Sequence, residues 1–127
     1  MTDESEYRYA KSHEWVSIDG DIATIGISEH AQEELGDVAL VLFPEVGRVL
    51  QLEEKFGEIE SIKAVSDLYA PVSGTIIAVN ETLHNSPETV NDDPLIEGWM
   101  IKISMSQPND VALLMDSLSY QAFLQEA

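Results

Sequence analysis

Apolar residues fall along this chain in short runs divided by turn-forming residues. Trp15-Val16-Ser17-Ile18 and Ile22-Ala23-Thr24-Ile25-Gly26-Ile27 flank Asp19-Gly20-Asp21. Asp-Gly between two β-rich runs predicts a hairpin, because glycine takes positive φ without a steric penalty. Ser28 is placed to cap a short helix over Glu29 to Leu35, with acids in its first turn and Gly36 to end it. Val38 to Phe43 is almost continuously apolar, too short for a typical helix, and reads as a buried strand. Residues 80–98 read as a loop, punctuated by Asn85, Pro87, Asn91, Asp92-Asp93 and Pro94. Trp99 to Ile103 reads as another strand. Beyond Pro108, Asp110 is placed to cap a helix starting near Val111, with an apolar face of Leu114, Met115 and Leu118. A second short helix, roughly Tyr120 to Gln125, follows. The pattern predicts a β-rich fold with short helices at its end.

Two features are less readily assigned. Phe56, Ile59, Ile62, Val65 and Leu68 recur every third residue, closer to a helix than to a strand. Gly57, Ser66-Asp67 and the following Pro71-Val72-Ser73-Gly74 favour two short strands meeting at a bend near Lys63. Periodicity leaves both open. The second feature is a repeat of the form Pro-x-x-Gly-x-(Val/Ile)-(Leu/Ile), at Pro44 to Leu50 and again 27 residues later at Pro71 to Ile77. Each copy would be a turn feeding a strand, which implies two similar β units related by a pseudo-twofold.

Charge narrows the function. The chain of 127 residues has 24 Asp plus Glu against 6 Lys plus Arg, a formal net charge of −18. Such a surface repels phosphate backbones and anionic membranes, which argues against nucleic-acid and membrane partners. It is steered instead toward proteins with basic rims, and it also aids solubility. There are no cysteines, so disulfides, thiolate nucleophiles and Cys-based zinc sites are excluded. The polar opening stretch lacks an apolar signal core, and no apolar run approaches the ~18–20 residues of a membrane span. A soluble, cytoplasmic protein is expected, although a mature mitochondrial protein that has lost a targeting segment would fit as well.

Catalytic constellations are missing. With so many acids, paired carboxylates carry little information. His13, His30 and His84 have no metal-ligand spacing, and His13-Glu14 and His30 near Glu33 read as surface polar contacts. No phosphate loop, nucleophile elbow or calcium loop is present. What remains is one lysine, Lys63, standing between Lys55 and Lys102 with Glu58 and Glu60 just before it. A carrier needs one reachable amine on a rigid support, so that a tethered cargo swings from a fixed point at high effective concentration. An ordinary exposed surface lysine would give the same spacing.

The segment Gly57-Glu58-Ile59-Glu60-Ser61-Ile62-Lys63-Ala64-Val65-Ser66-Asp67-Leu68-Tyr69-Ala70-Pro71-Val72-Ser73-Gly74 resembles the lipoyl-attachment segment of the glycine cleavage H-protein family. Ser12-His13-Glu14-Trp15, His30-Ala31-Gln32, Leu35-Gly36-Asp37, Leu42-Phe43-Pro44-Glu45-Val46-Gly47 and Gly98-Trp99-Met100-Ile101-Lys102-Ile103 fall where that family has similar residues. The resemblance implies strands around Lys63. It further implies a mainly β, lipoyl-domain-like barrel-sandwich hybrid with short helices. That would be a single domain, its core at about residues 8–105 and a C-terminal helical segment at about 109–126.

It implies, too, a non-enzymatic carrier bearing lipoate as N6-lipoyllysine on Lys63, attached by lipoate-attaching enzymes. Its partners would be the glycine decarboxylase (P protein), the aminomethyltransferase (T protein) and the dihydrolipoyl dehydrogenase (L protein). The loaded arm would dock in a cleft offering Ser12, Glu14 and Asp67. Two residues of the loop in which Asn91-Asp92-Asp93-Pro94 leads into Leu95-Ile96-Glu97-Gly98-Trp99, and Leu40 with Leu42-Phe43, depart from the family's usual pattern and leave room for altered partner contacts. Two alternatives follow: an H-like protein relaying lipoate to other enzymes, or an acidic adaptor whose Lys63 stays unmodified. A biotin carrier fits less well, because Ile62 and Ala64, not methionines, flank the lysine.

Overall fold

The computed structural model describes residues 7–126. Nine strands form two sheets. A six-stranded sheet runs β1 (Arg8–Tyr9), β2 (Glu14–Asp19), β3 (Ile22–Ile27), β9 (Ile101–Met105), β8 (Gly74–Val79) and β5 (Val49–Leu50). A three-stranded sheet runs β4 (Val38–Leu42), β6 (Lys55–Ser61) and β7 (Val65–Tyr69). All pairings are antiparallel. The sheets do not close into one barrel, and short helices with a C-terminal helix complete the expected barrel-sandwich hybrid.

The β2–β3 hairpin forms as the sequence predicts: Asp19 pairs with Ile22 around a two-residue loop, and Gly20 has φ 60°. Helix α1 (Glu29–Leu35) also forms as predicted. Ser28 accepts the Ala31 N–H, and Gly36 ends the helix at φ 73°. The repeat has a structural counterpart. Gly47, at φ 98°, donates its N–H to the Ile76 carbonyl, and Ile76 returns its N–H to Arg48, a glycine bulge. Beyond it, Val49 pairs with Thr75. The 27-residue offset exchanges Val49 with Ile76 and Arg48 with Thr75, so this ladder maps onto itself as a local twofold requires.

Both sheets contribute to one core, with Val16, Ile25, Ile76 and Ile103 facing Val41, Phe56, Ile59 and Leu68. Burying such side chains is what holds the layers together, and truncating one like Ile59 costs about 2–5 kcal/mol. A second, aromatic cluster of Tyr7, Tyr9, Trp15 and Tyr120 joins β1 and β2 to the C-terminal helix. Trp15 donates its indole N–H to the Pro94 carbonyl at 2.9 Å.

Several sequence expectations are corrected. β4 is only half buried: Val38 and Val41 point inward, whereas Leu40 and Leu42 are exposed, because a register shift between Val38 and Leu40 resets the alternation. Residues 80–98 are not simply loop but hold two one-turn helices, α2 (Thr82–Asn85) and α3 (Thr89–Asp92), each burying one apolar residue, Leu83 and Val90. The last strand starts at Ile101, two residues later than expected.

Asp110 does not cap an α-helix. It lies in a 3-10 turn, Pro108–Leu113, and its buried carboxylate accepts from Ser73 N–H (3.0 Å) and Oγ–H (2.6 Å). Met115 bridges to Tyr9 and Leu118 is exposed, so neither forms the expected helical face. One helix, α4 (Ser117–Glu126), ends the described chain.

Candidate functional site: a lysine hairpin beside a buried glutamate

Lys63 sits at the tip of the β6–β7 hairpin, in the four-residue connection after the Glu60–Val65 pair. Ser61 organises that connection. Its N–H donates to the Ala64 carbonyl at 2.9 Å, and its Oγ accepts from the Lys63 and Ala64 N–H groups at 3.2 and 3.1 Å. A serine satisfying nearby backbone donors in this way stabilises a tight turn. The Ile62 N–H donates to the Asp37 carbonyl at 3.1 Å, tying the tip to the corner between α1 and β4.

That corner is itself anchored by Asn91. Its Oδ1 accepts from the Val38 N–H at 2.9 Å, and its Nδ2 donates to the Gly36 carbonyl at 2.8 Å. The exposed Lys63 side chain lies along Gly36, where a Cβ would stand 3.1 Å from Lys63 Cε. Any side chain at Gly36 would be strained by the positive φ and would crowd the lysine stem.

Next to the hairpin opens a cleft of about 270 Å³. Ser12, His13 and Glu14 form one side, His30 and Glu34 of α1 another, and Ala64 to Leu68 the side that leads to Lys63. Glu14 is the unusual residue. It is 1% exposed, its Oε1 accepts from the Ser12 hydroxyl, and its Oε2 accepts from the Tyr69 N–H at 3.1 Å. Burial pushes its carboxyl up to about 7, against the opposing pull of those hydrogen bonds.

Asp67 lines the same cleft but is exposed. Its carboxylate pairs with Lys55 at 3.2 Å and accepts from the Tyr69 hydroxyl at 3.4 Å. Ser12 and Glu14 are thus directly joined, whereas Asp67 stands on the rim.

Two corrections concern the histidines. Glu14 is not a surface contact of His13, and His13 instead places Nδ1 2.7 Å from the Tyr120 hydroxyl. His30 approaches Glu34 at 3.8 Å rather than Glu33. Sequence reasoning missed His13, His30 and Glu34 as cleft residues. The spacing of His30 and Glu34, one helical turn apart on α1, is the signal that could have found the second pair. Among the described residues there is no group of three or more His, Asp or Glu that could hold a metal.

A family model described as glycine cleavage H-protein matches residues 7–127. The chain belongs to the glycine cleavage H-protein family. It is 55% identical over 118 residues to the glycine cleavage system H protein of Chromohalobacter salexigens, covering 92% of this chain and 90% of that one. To the protein of that name from Thermotoga maritima it is 50% identical over 116 residues, covering 91% and 94%. The fold is similar to the crystal structure of a glycine cleavage system H protein from Mycobacterium marinum. The TM-score is 0.88 at 35% identity, over 95% of this chain and 98% of that one.

The residues present fit the lipoyl group that the family implies: an exposed primary amine, on a hairpin held by Ser61 and Asp37, with a cleft beginning at the adjoining residues Ala64 and Val65.

Proposed function

We propose that Lys63 carries lipoate in amide linkage, as N6-lipoyllysine, and that the cleft beside it receives the loaded end of that arm. The protein is a lipoyl carrier of the glycine cleavage system and not a catalyst. Its partners are the other components of that system. In this reading they are the glycine decarboxylase, which loads an aminomethyl group, the aminomethyltransferase, which removes it, and the dihydrolipoyl dehydrogenase, which reoxidises the carrier. A lipoate-attaching enzyme acts first. No described helix is long and apolar enough to cross a membrane, and the reading places the chain in the cytoplasm.

The observation that carries this proposal is the exposed amine at the end of a hairpin whose backbone donors are already satisfied. Rigidity there matters because a swinging arm gains effective concentration only if its base is fixed. Lipoate, when bound, supplies the redox-active sulfurs that this Cys-free chain lacks.

The remaining work falls to the protein's own residues. The Glu14 carboxyl, near half-ionised around neutral pH, loses its proton readily when a cation approaches and then holds it by a charge-assisted hydrogen bond. The hydroxyl of Ser12 keeps the carboxylate in place, and Asp67 adds negative charge at the rim. Acidic residues along β6, Glu58 and Glu60, favour basic-rimmed partners.

Incubation with the decarboxylase and isotope-labelled glycine tests the proposal. Label should appear on the lipoylated wild type and not on Lys63→Arg, which keeps the charge but presents no acylable amine. Equal labelling of the two would overturn it.

A further inference from the structure

Two of the three walls of the cleft come from segments that share no strand, the Ser12–Glu14 turn and helix α1 with His30 and Glu34. A single hydroxyl reaches both. Tyr120 of α4 places its oxygen 2.7 Å from His13 Nδ1 and 2.7 Å from Ser28 Oγ, the cap of α1. Tyr120 is buried, and its ring stacks on Tyr9 at 4.3 Å between centroids. Neither fact concerns the lysine or the cargo.

The turn needs such support. His13 holds φ 78°, a left-handed conformation that costs a residue with a Cβ about 1–2 kcal/mol. Its carbonyl accepts the Ser28 N–H at 2.9 Å, which begins the tie to α1 that the side chains complete.

Either hydroxyl can donate across the Ser28–Tyr120 contact. In the sense that runs from Ser28, Oγ accepts the Ala31 N–H and gives its own proton to the buried Tyr120 oxygen. Tyr120, accepting there, donates onward to His13 Nδ1. In that sense His13 carries its proton on Nε2, whereas the opposite sense would put it on Nδ1. Burial and the neighbouring His30 hold this imidazole below its usual range, with Glu34 opposing them. The other charged groups on the cleft are Glu14 and Asp67.

We propose that Tyr120 is a positioning residue: the relay Ser28 to Tyr120 to His13 fixes the Nε2–H form of His13 and locks both cleft walls beside Glu14. The terminal helix thereby sets how firmly the cleft holds a cationic arm end, which rests on the cleft reading given above.

Tyr120→Phe in the full chain tests this, since Phe keeps the stack on Tyr9 and removes only the hydroxyl. Nitrogen chemical shifts of labelled histidines should place the His13 proton on Nε2 in the wild type. In Tyr120→Phe the two tautomers should mix. Lipoylation of Lys63 should proceed at the wild-type rate, while loss of the aminomethyl group quickens about fivefold, the equivalent of about 1 kcal/mol for one hydrogen bond. Ser28→Ala, which breaks the relay at its other end, should mix the tautomers as well and serves if Tyr120→Phe folds poorly.

An Nδ1–H proton in the wild type would overturn the proposal. So would an unchanged tautomer and lifetime in the variants. If Glu14→Gln shortens the lifetime and Tyr120→Phe does not, the role of Tyr120 fails alone. If neither does, the cleft reading fails with it.

Discussion

The hairpin tip at Lys63 and the turn at Glu14 flank the same cleft and solve opposite problems. The tip displays a charged amine to solvent, and its order comes from local bonds made by Ser61 and from one tie to Asp37. The Glu14 turn hides a carboxyl, and its order comes from distant groups: Tyr69, Tyr120 and the aromatic cluster behind them. A local scaffold suits the exposed amine proposed as the attachment point. A long-range scaffold suits a group that must stay in place while desolvated, because no short segment can exclude water by itself.

The sharpest way to separate the two regions is to remove the amine. Lys63→Arg should abolish carriage entirely while shifting stability by less than about 0.5 kcal/mol, as expected for an exposed side chain, in a chemical denaturation series.

Glu14→Gln should do the reverse, sparing attachment and changing pH behaviour. The folded-state pKa of Glu14, about 7, lies above its ordinary 4.5, so the folded protein favours the protonated form. That contribution is fully present below about pH 4.5 and is lost as pH rises through about 7. Between those limits the wild type should lose up to about 3 kcal/mol relative to Glu14→Gln, read as the difference of two stability-versus-pH curves. Parallel curves would mean that Glu14 is solvated.

Ser61→Ala is expected to cost about 0.5–1 kcal/mol and to speed hydrogen exchange at the Lys63 and Ala64 amides, leaving exchange around Glu14 alone. Spread of the effect to the Ser12–Glu14 turn would show that the two scaffolds are one.

The smallest effect belongs to Asp67→Asn. Its ion pair with Lys55 is exposed and screened by solvent, so stability should barely change, and cargo retention should fall less than in Glu14→Gln. An equal fall would mean that Asp67 leaves Lys55 and turns into the cleft.

The same division between local and distant support governs what could be read from the sequence. The β2–β3 hairpin and α1 were legible because their signals, Asp19-Gly20 and Ser28 with Gly36, lie within a few residues of the structure they set. The threefold spacing through Phe56, Ile59, Ile62, Val65 and Leu68 was misleading for a physical reason. A bulge between Lys55 and Gly57 and the turn at 61–64 interrupt the strand period, so Phe56, Ile59 and Leu68 point inward while Ile62 and Val65 stay exposed.

Lys63 could be singled out by its isolation, but the proposal that it carries lipoate came from the resemblance of the surrounding segment. The partners of Asp110 and His13 could not be found locally. Ser73 and Tyr120 lie 37 and 107 residues away, and a capping or surface role was the only local reading available.

The most direct test of the account is the site of attachment. Wild-type protein incubated with lipoate, ATP and a lipoate-attaching ligase should gain one lipoyl increment by intact mass, confined on peptide mapping to the fragment containing Lys63. No increment, or one on Lys11, Lys55 or Lys102, would contradict the assignment of Lys63 as the carrier lysine.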